Sequence, residues 1–395
     1  MPTSRDAARL LGVDAARGLA LVGMMSVHIL PSVGDDGSTT AAHLIAGGRS
    51  SALFALLAGV GLALANGRST PPRGRALARS AAGTAARALV LIVIGLLLGS
   101  LDSGVAVILV YYGLLFLVAI PFLGLGSRVL LPLALVWAIA MPLLSQVWRE
   151  SIPLASYDNP TMESLGDPGA LVRELALTGY YPVLPWTAYI LAGLGIGRLA
   201  LSRTRTATTL LAGGAALAVL TWVTSVRLLD SGGLDALIEA GAGTHPVSRP
   251  FVQGVLTTGF YGSTPTTSPW WLTIASPHSG TPFDLLHTIG AAAAVLGAML
   301  LLAKAAHAVV WPLAAVGSMT LTLYTLHVVL LSTLVPGESE YAFAVHVVIA
   351  FAVAMPWRAF VGRGPLEELA ARVSTRAREL VPAATEGGHR RPVRR

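Results

Sequence analysis

The first long apolar stretch of the chain carries three ionisable residues whose spacing suits chemistry. Asp14 and Arg17 are three residues apart, so on a helix they can form an ion pair. Arg17 and His28 are eleven residues apart, which is close to three helical turns and places both on one face, about 16 Å apart. Arginine is a permanent planar cation suited to phosphate or carboxylate, and histidine can take and return a proton near neutral pH. A cofactor with a phosphate end and a long reactive arm could bind along this face. The alternative is a structural role. Asp14 and Arg17 would then form an ion pair at the rim of the membrane, and His28 would be a hydrogen-bonded packing residue.

Two further candidates flank the start of the second apolar stretch. His43 precedes this stretch and by itself is typical of a solvated loop histidine. Arg49 opens the stretch, where it could pair with Asp35 or Asp36 or bind an anionic group at a helix N-terminus.

Later apolar stretches add two pairs of polar residues at helical spacing. Asp284 and His287 are three apart, so the carboxylate could orient the imidazole or favour its protonated form. Tyr324 and His327 are also three apart and could face a cavity, with neighbouring hydroxyls acting as contacts between helices. His346 is a weaker candidate.

The composition sets these residues in a membrane. Of 395 residues, 54% are hydrophobic and only 12% are charged, about half the charged share of a soluble domain. Apolar runs long enough to cross a hydrocarbon core of about 30 Å recur along the chain. We therefore predict an all-α, polytopic helical bundle with about ten transmembrane helices, at 11–32, 49–66, 80–100, 104–124, 128–147, 182–200, 207–228, 284–303, 309–332 and 341–360.

The distribution of positive charge predicts the orientation of this bundle. With both termini in the cytoplasm, all but five of the 27 basic residues fall on the cytoplasmic side, as membrane proteins prefer. We expect a multi-pass protein of the cell (plasma) membrane. The five basic residues on the outer side are Arg49, Arg149, Arg173, Arg227 and Arg249.

The connecting segments define the predicted domains. Residues 1–363 form the membrane domain, with long outward loops at 148–181 and 229–283 whose acidic and aromatic groups suit a sugar or another polar substrate. A solvated lid with interfacial tryptophans is the simpler interpretation for any single loop residue. Residues 364–395 form a cytoplasmic amphipathic helix followed by a basic, disordered tail.

Several chemistries are excluded or disfavoured. The chain has no cysteine, which excludes disulfides, thiolate metal sites and a cysteine nucleophile. It has no phosphate-binding P-loop, no H-E-x-x-H helix and no G-x-S-x-G elbow. No two histidines lie four residues apart, so we expect no metal. The positive charge is not clustered into a surface that could bind a nucleic-acid groove. We therefore do not expect the protein to bind nucleic acid.

Several stretches resemble a known superfamily. The opening residues 9–24, RLLGVDAARGLALVGM, resemble bacterial proteins grouped with the heparan-α-glucosaminide N-acetyltransferase catalytic domain, in a broader transmembrane acyltransferase superfamily. Residues 48–54, 279–284, 312–324 and 364–367 fit the related domain-of-unknown-function 418 group. The resemblance runs nearly end to end, but it does not identify a substrate.

The resemblance implies an acyl-CoA donor, with acetyl-CoA favoured, approached from the cytoplasm, and an extracytoplasmic carbohydrate or glycolipid acceptor. Arg17 and His28 match the arginine and histidine of the membrane O-acyltransferases, so Arg17, paired with Asp14, is expected to hold the donor. In the sugar N-acetyltransferase branch the essential histidine lies before the second span, where this chain has His43. Either histidine is thus a catalytic candidate, and we favour His28. Substrate or oxyanion candidates are Arg49, Asp284, His287, Tyr324 and His327.

Two other functions remain alternatives. A transporter or flippase for a polar or lipid-linked substrate would show inverted repeats, and none is clear in the sequence. A non-catalytic accessory protein could keep the fold without the activity. A homodimer is a further possibility.

Overall fold

The computed structural model describes residues 4–152, 157–241, 247–333 and 339–382. The regular secondary structure in these ranges is helical, apart from one isolated bridge between Val33 and Thr39. The α-helices are α1 (Ser4–Ile29), α2 (Ala41–Ala46), α3 (Arg49–Ala65), α4 (Gly74–Gly99), α5 (Leu109–Ala119), α6 (Ser127–Arg149), α7 (Pro168–Arg173), α8 (Val183–Gly197), α9 (Thr204–Leu228), α10 (Leu234–Ala240), α11 (Arg249–Thr258), α12 (Pro282–Ala305), α13 (His307–Gly317), α14 (Thr320–Thr333), α15 (Glu340–Phe360) and α16 (Pro365–Glu379).

Several of these helices can cross a membrane. Six helical segments in the described residues are long and apolar enough, and a seventh is added if α13 and α14 count as one span. Two shorter apolar helical segments, Leu109–Phe122 and Val183–Gly197, coincide with two further predicted spans. The all-α membrane architecture is therefore confirmed. The number of ten spans and the inward position of both termini stay predictions.

The predicted span 309–332 is not one straight helix. α13 ends at Gly317 and α14 begins at Thr320, with a bend of 63° between them. A Cβ atom at Gly317 would collide with the backbone carbonyl of Asp14, and one at Gly18 would collide with that of Leu313. Glycine thus allows α1 and α13 to cross closely at the bend.

Close packing also joins α3 to α8. A Cβ atom at Gly59 would lie 2.8 Å from the backbone nitrogen of Leu194 and 3.0 Å from the Cα atom of Gly193. The absence of a side chain at Gly59 therefore allows α3 and α8 to pack closely.

The two long connecting segments are partly helical. α10, α11 and a 3₁₀ turn at Pro269–Thr273 enclose a small apolar cluster of Leu237, Val252, Trp271 and Ile274. Arg249 forms an ion pair with Asp235 in the same segment. Residues 229–283 therefore contain a structured subdomain, although residues 242–246 lie outside the described ranges.

The predicted amphipathic stretch near the C-terminus is α16, which packs on α4. Ser374 Oγ donates to the Gly83 carbonyl at 2.8 Å, and Arg378 Nη2 donates to Asn66 Oδ1 at 2.8 Å. The predicted basic tail lies outside the described residues from position 383 onward.

Candidate functional site

A cavity of about 470 Å³ opens between α1, α3, α4, α5, α14 and α16. This volume lies within the range of about 300–1,000 Å³ that is usual for sites that bind small organic ligands. Its charged and polar lining is grouped at two ends. Arginines and one glutamate line the end near the start of α14, and two tyrosines line the deeper part: Arg17, Arg87, Arg363, Glu367, Tyr112 and Tyr324.

The predicted ion pair between Asp14 and Arg17 forms. Their charged atoms lie 3.6 Å apart, and Arg358 Nη1 approaches the other oxygen of Asp14 at 3.2 Å. Arg17 lines the cavity, whereas Asp14 does not. A Cβ atom at Gly61 would come within 2.5 Å of Arg17 Nη2, so the bare glycine makes room for the guanidinium. Asp14 thus positions Arg17.

Arg87 is a second cation in this cavity that sequence reasoning did not select. Its guanidinium carbon lies 5.8 Å from the centroid of the Phe116 ring. Its Nε atom is buried and has no hydrogen-bond partner within the described residues. The sequence signal was weak, since Arg87 looks like one of several arginines that mark the cytoplasmic side.

The deeper part of the cavity contains hydroxyl groups. Tyr324 faces the cavity as predicted, and its phenolic oxygen accepts a hydrogen bond from the Ile108 N–H at 3.3 Å. This contact leaves the Tyr324 O–H free to donate to another acceptor. Tyr112 donates instead to the Ser51 carbonyl at 3.2 Å.

His28 lies beyond this cavity, in a second and much smaller one of about 20 Å³. Met24 lines both cavities. The predicted face of α1 therefore exists, with Arg17 on the large cavity, His28 on the small one, and Met24 between them. Tyr181 and His278 complete the far side of the small cavity.

His278 is a functional candidate that sequence reasoning missed. It directly precedes the 279–284 motif, and it adopts a left-handed backbone conformation with φ of 54°. Its ring stacks on Trp186 with the ring centroids 6.2 Å apart, and it meets Tyr181 edge to face with the centroids 5.6 Å apart. Enclosure by these groups, with a smaller contribution from His43, lowers the pKa of His278 to about 4. The ring is therefore neutral at physiological pH.

His43 lies near this group but lines neither cavity. It is partly buried in α2, and its Nε2 lies 2.8 Å from the Thr258 carbonyl at the end of α11. The interpretation of His43 as a solvated loop histidine is therefore wrong. Its ring joins α2 to the subdomain at 229–283.

Arg49 and Asp284 have local partners other than those expected. Arg49 Nη1 donates to the carbonyls of Leu44 at 2.9 Å and Gly47 at 3.3 Å, and it does not pair with Asp35 or Asp36. Asp284 is buried and accepts a hydrogen bond from the Gly280 N–H at 3.0 Å. Asp284 therefore fixes the turn that follows His278.

The expectation that Asp284 orients His287 is wrong. His287 Nδ1 donates to the Ala218 carbonyl of α9 at 3.0 Å. Three residues correspond to about 300° of helical rotation rather than a full turn, so the imidazole reaches α9 while the carboxylate reaches the preceding turn.

His327 lies behind His28. Its Nε2 is 3.1 Å from His28 Nδ1, and its Nδ1 is 2.9 Å from His346 Nδ1. Of the predicted pair, Tyr324 faces the large cavity. His327 contacts His28 and His346 instead. Within the described residues, no group of three or more histidine, aspartate or glutamate side chains has the geometry of a metal site.

Aromatic side chains connect the small cavity to the protein surface. The ring centroids of Tyr181 and Tyr180 are 6.4 Å apart. Those of Tyr180 and Tyr261 are 5.8 Å apart, and those of Tyr261 and Tyr157 are 5.6 Å apart. Tyr261 is 64% exposed, whereas Tyr181 is buried. Tyr157 also has a left-handed backbone, with φ of 57°. Such strained residues concentrate at functional sites.

These features define a helical membrane protein with a cationic cavity beside the middle of α1 and histidines near the C-terminal end of that helix. The family model for heparan-alpha-glucosaminide N-acetyltransferase, catalytic, matches residues 9–229, which is more than half of the chain. The chain therefore belongs to this family, a family of acetyltransferases. No curated protein matches it.

Proposed function

We propose that the protein transfers an acyl group from a cytoplasmic acyl-CoA to a hydroxyl or amine of an extracytoplasmic glycan or glycolipid. One observation carries this proposal: Arg17 and His28 line two successive cavities along α1, with Met24 common to both. A donor that enters past the arginines would bring its thioester towards the histidine. Acetyl-CoA is the first donor to test, because the family is one of acetyltransferases.

The arginine end of the large cavity suits the phosphates of the donor. Guanidinium groups bind phosphate through two parallel hydrogen bonds. Arg17 is held by Asp14, and the buried Nε of Arg87 has no partner within the described residues. A buried cation with an unused donor is costly in an apolar surrounding, and an anionic ligand would offset this cost.

The chemistry at the inner end follows from His28 and Tyr324. His28 removes the proton from the acceptor as its oxygen or nitrogen forms a bond to the thioester carbon. The O–H of Tyr324 can donate to the negative charge that develops on the thioester oxygen. The carbon–sulfur bond then breaks, and CoA leaves as the thiolate towards the arginine end.

The aromatic path supports an acceptor that arrives from the other side. Tyr157 and Tyr261 are exposed, and the path ends at Tyr181 beside His278. Rings of this kind offer flat apolar surfaces with polar edges, which suit the mixed apolar and hydroxylated faces of a sugar.

The test is CoA release by purified protein from acetyl-CoA and longer acyl-CoAs, with a glucosamine-terminated acceptor. We expect His28→Ala to abolish turnover in a protein that still unfolds in one cooperative transition, and His43→Ala to retain a substantial part of the turnover. His307→Ala is the matched control, because His307 is exposed at the start of α13.

The two histidine variants also decide between the catalytic candidates. Loss of turnover in stable His43→Ala alone would move the catalytic role to His43. No turnover and no acyl-CoA binding by well-folded wild-type protein, over several chain lengths, would overturn the acyltransferase proposal.

A further inference from the structure

Three histidines from three helices form one hydrogen-bonded chain. His28 of α1, His327 of α14 and His346 of α15 are joined by ring-nitrogen distances of 3.1 Å and 2.9 Å. The first two rings are stacked, with centroids 5.3 Å apart, and the last two meet edge to face at 4.7 Å. His327 and His346 are each 1% exposed, whereas His28 lines the small cavity.

This arrangement is unusual for histidines that serve packing alone. A buried packing histidine is readily satisfied by a backbone carbonyl, as His287 is by Ala218. Ionisable groups inside a membrane protein are costly, and they mark proton paths in many such proteins. Here His327 uses both ring nitrogens on other imidazoles, so each of its contacts joins two groups that can carry a proton.

The role of His28 fixes the position of every proton in the chain. If Nε2 of His28 is the base that faces the acceptor, its Nδ1 carries hydrogen and donates to Nε2 of His327. A neutral His327 then carries its hydrogen on Nδ1 and donates to Nδ1 of His346. The neutral chain is thus ordered in one direction, away from the small cavity.

We propose that His327 and His346 carry away the proton that His28 removes from the acceptor. This inference rests on the proposed acyl transfer. The acceptor proton binds Nε2 of His28 as the new carbon–oxygen or carbon–nitrogen bond forms and the carbon–sulfur bond breaks. The Nδ1 proton of His28 then moves to Nε2 of His327, and the Nδ1 proton of His327 moves to Nδ1 of His346. His346 gives up its Nε2 proton to a water molecule and becomes neutral again. No electrons are gained or lost.

The separation of the two products makes such a path useful. The CoA thiolate leaves towards Arg17, where it can take a proton from cytoplasmic water. The acceptor proton is released at His28, about 16 Å away along α1. A relay returns His28 to its neutral form without requiring the thiolate to come back to it.

The experiment compares His327→Gln and His346→Gln with wild type and with His307→Gln. Glutamine can keep a hydrogen bond but cannot pass a proton on, so we expect kcat to fall at least about tenfold. The KM for acyl-CoA should stay unchanged, and the solvent deuterium isotope effect on kcat should rise because proton movement becomes rate-limiting. His307→Gln should match wild type in all three quantities.

A purely structural role predicts a different result. Unchanged kcat, or a lower kcat without a larger isotope effect, would overturn the relay while leaving the acyltransferase proposal intact. If a glutamine variant does not fold, His327→Asn and His346→Asn are measured in the same way, and the same two outcomes overturn the relay. Absence of wild-type turnover would instead remove the proposed function itself.

Discussion

Donor affinity depends on Arg17 if the large cavity holds the phosphates. We expect Arg17→Ala to raise the Kd for acyl-CoA at least about tenfold, which corresponds to roughly 1.4 kcal/mol, because a partly buried guanidinium–phosphate contact is lost. Calorimetric titration of the detergent-purified protein with acetyl-CoA measures this change.

Arg205→Ala is the control for Arg17→Ala. Arg205 is exposed near the start of α9 and does not line the cavity, so its removal should leave the Kd unchanged. Equal losses in both variants would show that general positive charge, rather than the cavity, attracts the donor.

His278 makes the stability of the protein depend on pH. The ordinary pKa of histidine is about 6.5, and enclosure lowers that of folded His278 to about 4. Between these values the unfolded state binds a proton that the folded state excludes, so stability falls as the pH drops from about 6.5 towards 4.

The His278→Gln variant isolates this contribution. Its thermal midpoint should fall less than that of wild type between pH 7.5 and pH 5, because the group that gains a proton on unfolding is gone. Parallel slopes for the two proteins would contradict the low pKa of folded His278.

Residue pairs close in sequence could be predicted, but contacts between distant helices could not. The Asp14–Arg17 pair and the face shared by Arg17 and His28 depend only on helical periodicity, and the structure has both. The placement of His278 against His28, and of His346 against His327, depends on how helices far apart in the chain pack. Nothing in the local spacing of these residues determines that packing.

At the scale of elements, α16 holds one end of the site together. The Glu367 carboxylate accepts hydrogen bonds from the N–H of Leu321 at 2.6 Å and from the hydroxyl of Thr322 at 2.6 Å. These groups lie in the first turn of α14, whose N–H groups lack partners within the helix. A helix from the end of the chain thus caps the helix that carries Tyr324 and His327.

Removal of this cap should weaken both stability and donor binding. Glu367→Ala should destabilise the protein by about 1 kcal/mol, the typical effect of a lost cap. It should also raise the KM for acyl-CoA, because α14 lines the cavity and would be held less firmly. Thermal unfolding in detergent and initial rates measure the two effects.

The neighbouring residue provides a matched control. Glu368 forms exposed ion pairs with Arg363 and Arg372, and such pairs add little stability. Glu368→Ala should therefore keep the stability of wild type. If the two variants lose the same stability, the contact between Glu367 and α14 is not the cause.

The sequence predicts most helices well because long apolar runs are a strong signal, but it does not predict the bend within 309–332. The run has no charged residue to mark a break. The bend arises where Gly317 meets the backbone of α1 and where Glu367 caps α14, and both partners lie far away in the chain. The segments at 148–181 and 229–283 were predicted as loops because their polar composition hides the short helices within them.

For the whole molecule, the proposed reaction requires the two ends of α1 to face different compartments. The arginine cavity and the aromatic path lie on either side of Met24 and His28. The ten predicted spans would place Arg17 towards the cytoplasmic side of α1 and the region beyond His28 towards the outside. The orientation can be tested directly, because the chain has no cysteine.

Single cysteines introduced at four exposed positions report on the topology. We expect a membrane-impermeant thiol reagent to label Ser38→Cys and Ser231→Cys in intact cells, and Ser69→Cys and Thr375→Cys only after the cells are permeabilised. Six predicted spans separate Ser38 from Ser231, so an even count places both on the same side. Opposite labelling of these two would mean that one of the short helices, Leu109–Phe122 or Val183–Gly197, does not cross the membrane. Labelling of Ser69→Cys in intact cells would show that the orientation is the reverse of the predicted one. Acyl-CoA from the cytoplasm would then not reach Arg17.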